Sequence, residues 1–197
     1  MTIETHSRIA LKEWAVAIEA LASGNQIIIL RKGGIHREDK EFRVLHPEFL
    51  LYPTYEHQKT ELVKSDQKDK LRETVETNKS QDRLCLSYWC EDTHKFQVSE
   101  PEMLGRLNEH HIWDANYASS RLHWRPKQPL TVAILRVHRI GEPQYLDILP
   151  EYGGCKSWVT LNQEVPLGSM KPVIESDEYL YKVEKIQSLL EGAPILS

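Results

Sequence analysis

The first thirty residues change from a helical pattern to a strand pattern. Apolar residues recur at helical spacing between Leu11 and Ala22, which predicts a helix. Ser7 is suited to cap the start of this helix, and Gly24 is suited to end it because glycine tolerates a positive φ. Residues 26–30 are apolar and mostly β-branched. They predict a strand that is covered on both faces.

Two further stretches predict strands in the middle of the chain. Residues 42–55 predict a strand, an interruption at Pro47 and a second strand that ends near Pro53, because proline cannot donate to a strand ladder. Residues 84–98 resume the alternation of apolar and polar side chains. Within them, residues 92–93 have the composition of a turn.

Two helices are predicted later in the chain, and a polar stretch precedes them. Ser99 and Glu102 have the spacing of a capping box, and a buried stripe follows at Met103, Leu104 and Leu107. The last helix begins at Ser176, and we expect it to bury Leu180, Val183, Ile186 and Leu190. The polar residues 57–83 predict an exposed helix or a mobile excursion.

Helices that alternate with strands and irregular loops, without regular βαβ spacing, predict an α+β fold. We expect a mixed or antiparallel sheet with flanking helices. No internal repeat and no low-complexity tract is present. Residues 1–197 are therefore expected to form a single domain with one polar excursion.

Composition excludes several classes of protein. The chain has 197 residues, 40% of them hydrophobic and 27% charged, and its net charge of -4 argues against a polybasic nucleic-acid coat. No apolar run approaches the length of a membrane span, and the first residues do not resemble a secretory signal. Three cysteines cannot all pair in disulfides, so we expect a cytoplasmic protein.

Three basic clusters are the most informative chemical feature. The first joins Arg31 and Lys32 to a glycine pair; the second places Trp124 between arginines; the third lies on the strand predicted at residues 130–140. Cations beside exposed backbone amides suit an anion, and Trp124 offers a flat surface for a base. The alternative is that these arginines pair with the acids of the chain and that Trp124 lies in the core. The residues concerned are Arg31, Lys32, Gly33, Gly34, Arg121, Trp124, Arg125 and Arg136.

A second group of candidates follows the strand that ends near residue 53. Tyr52, Thr54 and His57 are close in sequence, and a histidine is readily poised for proton transfer near neutral pH. They could line one site with Arg31 or Lys32, or His57 could be an ordinary loop histidine. A second glycine pair at residues 153–154 could share that cleft or form a plain hairpin.

Metal and cofactor chemistry receives little support. Cys85, Cys90 and His94 lack the paired-ligand spacing of a zinc site, and no phosphate-loop, dinucleotide or serine-hydrolase motif occurs. We therefore expect no metal and no cofactor. A metal-dependent phosphodiesterase remains an alternative through Glu38 and Lys40, since such enzymes pair acids with a nearby lysine.

Several segments together resemble a known family. Residues 10–14 (ALKEW), 29–35 (ILRKGGI), 49–54 (FLLYPT) and 57–58 (HQ), with 135–137 (LRV) and 154–159 (GCKSWV), are similar to the bacterial family of uncharacterised proteins catalogued as domain of unknown function 1802. The resemblance implies a grouping and no activity. The order of elements is also similar to small PUA-like barrels that bind nucleic acid, which is an analogy of architecture.

The sequence thus predicts an anion-binding module for nucleic acid or nucleotide phosphate, with no membrane partner. The candidate ligand-binding residues are Arg31, Lys32, Gly33, Gly34, Tyr52, Thr54, His57, Arg121, Trp124, Arg125 and Arg136. No catalytic residue is assigned, and whether the protein is an enzyme stays open. A metal-dependent nuclease and a non-catalytic scaffold, in which the basic clusters are ion pairs, are the alternatives.

Overall fold

A computed structural model describes residues 5–32, 46–56, 58–78, 83–123, 129–154 and 156–196. The strands are β1 (His6–Trp14), β2 (Ile28–Lys32), β3 (Glu48–Thr54), β4 (Arg83–Val98), β5 (Leu130–Asp147), β6 (Trp158–Pro166), β7 (Lys171–Pro172) and β8 (Ile195–Leu196). The helices are α1 (Ala15–Ala22), α2 (Lys68–Asn78), α3 (Pro101–Arg106), α4 (Ala115–His123) and α5 (Ser176–Leu189).

One mixed sheet organises the fold. Its strand order is β2-β5-β4-β3-β1-β6, with β7 added to β5 and β8 added to β4. The β1 and β3 strands run parallel, and the other pairs are antiparallel. Helices flank this sheet, so the predicted α+β class is confirmed.

The sheet is strongly curled. Arg31 on the edge strand β2 donates a hydrogen bond of 3.0 Å to the carbonyl of Lys12 on β1, although β1 lies four places away in the strand order. The curl encloses an inner cluster of apolar side chains, and α1 packs into it through Ile18 and Leu21. The fold therefore brings the ends of β1, β2 and β3 together.

The predicted first helix begins too early. Residues His6–Trp14 form β1, and only Ala15–Ala22 are helical. The helical spacing corresponds to a helix only after Trp14, because Ala10 and Leu11 are paired with β3 on one side and with β6 on the other. Gly24 ends α1 with a φ of +72°, as predicted.

The strands of the middle of the chain follow the sequence pattern with one difference. Residues 92–93 do not turn: β4 continues to Val98, and the register with β5 shifts between Asp92 and His94. Such a shift marks a bulge, which interrupts the alternation without ending the strand. The interruption at Pro47 precedes β3, as expected, whereas residues 42–45 lie outside the described residues.

The polar stretch that precedes β4 contains α2, which is the helical alternative of the prediction. It is anchored by Leu71, which is 3% exposed and belongs to a large cluster covered by helices. The last helix also forms as predicted, except that Leu180 is 55% exposed and Tyr179 is buried instead. Residues 57 and 79–82 lie outside the described part of the chain.

Among the described residues, three apolar clusters make up the core. The helix-covered cluster joins helices α1–α5 to β2 and to one end of β4 and β5. The turn-side cluster lies at the other end of β4 and β5, where β3, β6 and a short 3-10 turn at Pro150–Tyr152 cover it. The inner cluster lies on the opposite face of β5, through Ala133, Leu135 and Val137.

None of the helices in the described ranges combines the length and apolar character needed to cross a lipid bilayer.

Candidate functional site

A cavity of about 380 Å³ opens where β3 ends and β4 begins. Its size is within the range of small-ligand sites, which are commonly about 300–1,000 Å³. Residues 52–56 line one side, residues 83–85 line a second, and residues 148–150 and 152–154 close the third. Lys12 of β1 completes the wall.

The floor of the cavity is aromatic and rigid. Tyr52 and Tyr152 meet edge to face with their ring centroids 6.3 Å apart. Tyr152 is 1% exposed; its hydroxyl donates to Oδ1 of Asn162 at 2.8 Å and accepts the Asn162 N–H at 2.9 Å. Burial raises the pKa of the Tyr52 phenol, with smaller contributions from Tyr152 and Glu56. Its phenol therefore stays neutral at physiological pH.

Two cations line the cavity beside these rings. The Lys12 ammonium lies 5.5 Å from the centroid of the Tyr52 ring and donates a 3.3 Å hydrogen bond to the carbonyl of Gly154. Arg83 donates to the carbonyl of Tyr145 at 2.7 Å and lies 3.5 Å from Asp147. The Arg83 and Asp147 side chains are 57% and 83% exposed, so their pair is worth little and a ligand can compete for the guanidinium.

The second glycine pair lies in this wall. Gly154 has a φ of +79°, and a Cβ added there would meet nothing within 4 Å. Gly153 is held by its N–H, which donates to the carbonyl of Pro150 at 2.9 Å. The turn thus brings backbone to the cavity without side-chain bulk.

Two of the residues predicted from sequence line the cavity. Tyr52 and Thr54 are two residues apart on β3, so they lie on the same face of the strand. They pair with Lys12 and Trp14 of β1. The Thr54 hydroxyl donates to the carbonyl of Glu13 at 3.0 Å. This bond fixes the end of β3 against β1.

The first basic cluster lies behind this wall. Nη1 of Arg31 is 3.3 Å from Oε2 of Glu13, and their side chains are 17% and 7% exposed. Lys32 is 6% exposed and donates to the carbonyl of Leu122 at 2.5 Å; burial lowers the pKa of its ammonium. These contacts tie β2 to β1 and α4.

Arg121 reaches the same region from α4. Its Nε donates to the Tyr117 hydroxyl at 2.8 Å, and its guanidinium lies 5.0 Å from the centroid of that ring. Burial raises the pKa of Tyr117, whereas Arg121 and Arg31 lower it and Glu13 raises it. The phenol therefore lies within the electrostatic field of both Arg121 and Arg31.

Arg136 belongs elsewhere. It is 9% exposed beneath α5, with its guanidinium 4.5 Å from the Tyr179 ring centroid and 3.4 Å from the Ser176 hydroxyl. Val132, Ile134 and Ile140 share a face of β5 with Arg136; the first two enter the helix-covered cluster and Ile140 enters the turn-side cluster. However, Arg136 interrupts that face instead of leading it into the cavity.

Five candidates lie outside the described residues, namely Gly33, Gly34, His57, Trp124 and Arg125. Glu38 and Lys40 of the phosphodiesterase alternative also lie there. Across the ranges that the structure does describe, no group of three or more His, Cys, Asp or Glu side chains is placed to hold a metal ion.

Sequence reasoning missed Lys12, Tyr55, Arg83 and Cys85 as lining residues. Lys12 falls within the stretch predicted as the first helix, and its position opposite Tyr52 follows only from the parallel pairing of β1 with β3. Arg83 and Cys85 begin a strand that pairs antiparallel with the end of β5. The usable signal was the proximity of Tyr52 to a strand end, together with the second glycine pair.

His111 is a buried histidine outside the cavity. It is 4% exposed, and neither ring nitrogen finds a hydrogen-bond partner among the described residues. Burial lowers its pKa to about 4, and the charge of Lys64 adds to this. The imidazole is therefore neutral at physiological pH.

Comparison with known proteins gives a grouping. No curated protein and no solved structure matches the chain at a significant level. The family described as Domain of unknown function (DUF1802) matches residues 10–185, which include the second half of β1, the glycine-containing wall of the cavity and most of α5. The chain therefore belongs to the DUF1802 family.

Proposed function

We propose that the protein binds a phosphate-bearing ligand, a nucleotide or a nucleic acid, in the cavity between β3, β4 and the turn at residues 148–154. The observation that carries the proposal is that an aromatic floor and two cations line the same cavity: Tyr52 and Tyr152 form the floor, and Lys12 and Arg83 lie in its walls. The aromatic and apolar lining accommodates a flat base, and lysine and arginine bind phosphate oxygens.

The chemistry favours an aromatic anion over a simple anion. Pro53, Ile148, Leu149 and Pro150 also line the cavity, so much of its wall is apolar and suits a flat ring. Glu56 is the acid among the lining residues, against Lys12 and Arg83. A base would occupy the apolar part, and its phosphate would lie toward the two cations.

The ion pair of Arg31 with Glu13 and the burial of Lys32 support a structural role for the first basic cluster. The proposal therefore rests on Lys12 and Arg83 and not on Arg31, Lys32 or Arg136. Tyr52 and Thr54 keep the role predicted for them.

Fluorescence polarisation tests the proposal. The probes are 5′-labelled decathymidylate and decauridylate, titrated with protein between low and moderate salt. We expect measurable binding whose affinity falls with salt, because phosphate contacts release counterions. Replacing Lys12 by Met, or Arg83 by Gln, should weaken binding roughly 5- to 10-fold and reduce the salt slope by about one.

The matched control is Arg8→Gln. Arg8 is on the same strand as Lys12, is about half exposed and pairs with Glu164 instead of lining the cavity. Absence of binding at low salt, or equal losses for Arg8→Gln and Arg83→Gln, would overturn the proposal and favour the scaffold alternative.

A further inference from the structure

An exposed aromatic ring lies immediately outside the cavity. Tyr145 is 55% exposed, near the end of β5, and it is directly opposite Cys85 of β4. Cys85 is itself a lining residue of the cavity. The Cys85 side chain raises the pKa of the Tyr145 phenol, through the negative charge of its thiolate form and through a hydrogen bond between the two side chains.

An exposed apolar side chain of the cavity wall follows this ring in the sequence. Ile148 is 54% exposed and lines the cavity three residues after Tyr145. Large apolar side chains with such exposure carry a hydration cost, and exposed rings and aliphatic groups beside a cavity are typical of a binding surface. Leu146, between them, is buried in the turn-side cluster, so the strand end presents Tyr145 on the face away from that cluster.

Arg83 is positioned between the two surfaces. Its guanidinium bonds the backbone carbonyl of Tyr145 while the residue also lines the cavity. Its carboxylate partner, Asp147, is 83% exposed. A phosphate at this point can replace the carboxylate at little cost, because the exposed ion pair is weak.

We infer that the ligand is a single strand of nucleic acid, with one base in the cavity, the neighbouring base stacked on Tyr145 and the phosphate between them on Arg83. The inference rests on the proposed function of the cavity and adds the substrate class. A free mononucleotide has no group for Tyr145. A duplex keeps its bases stacked in pairs, so neither base can enter the cavity or reach the ring.

The test compares ligand length in wild type and Tyr145→Ala. Isothermal titration at fixed low salt uses 5′-phosphorylated adenylates and uridylates of one, two and four residues. We expect the dinucleotide to bind more tightly than the mononucleotide. Tyr145→Ala should weaken dinucleotide and tetranucleotide binding about 5- to 100-fold, the range of one base–aromatic stack, and leave the mononucleotide unchanged.

Two variants control for other effects. Tyr145→Phe keeps the ring and should bind as wild type does. Tyr181→Ala removes another exposed ring, which is 64% exposed on α5, and should change no affinity.

The outcomes separate the two levels of the proposal. If no probe binds, the proposed function fails and the inference fails with it. Mononucleotide binding as tight as dinucleotide binding, or equal losses in Tyr145→Ala and Tyr181→Ala, overturns the inference alone. Equal binding of a decameric duplex and its single strands overturns the single-strand assignment.

Discussion

Arg31 and Glu13 form an ion pair across the curl of the sheet, with Nη1 and Oε2 3.3 Å apart. Arg31 also donates to the carbonyl of Lys12, so one side chain ties the edge strand β2 to β1 through both a charge and a backbone group. The pair is mostly buried, and it lies directly behind the wall that Lys12 forms.

Replacing Glu13 by Gln should destabilise the fold by about 2–3 kcal/mol, because it leaves the Arg31 guanidinium buried without its carboxylate. Urea unfolding followed by tryptophan fluorescence measures this. Glu164→Gln breaks the exposed pair with Arg8 and should cost less than about 1 kcal/mol. Equal midpoints for the two variants would show that the buried pair does not hold the sheet together.

Asp92 should make the fold less stable as pH rises. Its side chain is fully buried and 3.3 Å from Lys95, and burial raises its pKa to about 6, partly offset by Lys95. Between about pH 4 and pH 6 the folded state therefore holds a proton that the unfolded state has lost. The stability contribution of this group is present at low pH and is lost as pH rises through 6.

The measurement is the difference in unfolding free energy between wild type and Asp92→Asn across this pH range. As pH rises from 4 to 7, wild type should lose about 1–3 kcal/mol of unfolding free energy relative to Asp92→Asn. Glu91→Gln, at the neighbouring position on β4, is the control for the removal of a carboxylate from this strand, and the shift of Asp92→Asn should exceed it. A flat difference for Asp92→Asn would mean that the carboxyl is ionised throughout.

Burial of His111 should have the opposite effect in the same pH range: the fold should lose stability as pH falls. Its pKa in the folded state is about 4, whereas an unfolded histidine titrates near 6.5. The unfolded state therefore takes up a proton first as pH falls, and stability is lost between about pH 6.5 and pH 4. The loss should approach about 3 kcal/mol in wild type and be absent in His111→Gln.

Acid titration of the unfolding free energy distinguishes the two histidine environments. The exposed His123 provides the control through His123→Gln. A wild-type profile that His111→Gln leaves unaltered would show that the imidazole is already charged in the folded protein.

Gly24 should not tolerate alanine. Its φ is +72°, and an added Cβ would lie 2.2 Å from Cγ2 of Ile174. Gly192 has a φ of +92° with open space around its Cβ position, so Gly192→Ala isolates the backbone cost of roughly 1 kcal/mol. Gly24→Ala should cost at least about 1 kcal/mol more, since Ile174 must also move. Thermal unfolding of the two variants side by side measures the difference, and equal melting temperatures would contradict it.

Local spacing predicted the elements whose structure depends on their own residues. The helical spacing of Ala15–Ala22 and of Ser176–Leu189, and the apolar run that ends in β2, all appear in the structure. Residues 11–14 are predicted as helix but belong to β1, because their strand partners are about forty and one hundred and fifty residues away. Pairing with strands so far away in the sequence leaves no signal in the neighbouring residues that could outweigh their helical spacing.

The candidate site was predictable in part for the same reason. Tyr52 and Thr54 follow from the end of a strand, but Lys12 reaches the cavity only because β1 runs parallel to β3. In β4, register shifts between Leu86 and Tyr88 and between Asp92 and His94 break the alternation. A shift of one residue moves each later side chain to the other face, so the alternation could not be followed through residues 92–93. Arg83 and Cys85 precede both shifts, and they reach the cavity through their pairing with the end of β5.

The polar interruption of β5 has a consequence for how the molecule opens. Arg136 and His138 separate the helix-covered cluster from the turn-side cluster on one face of the strand. Since few apolar contacts cross this point on that face, we expect the two ends of β4 and β5 to open as separate cooperative units, with different rates of amide hydrogen exchange. A ligand in the cavity would slow exchange in the turn-side half first and leave the half beneath the helices nearly unchanged.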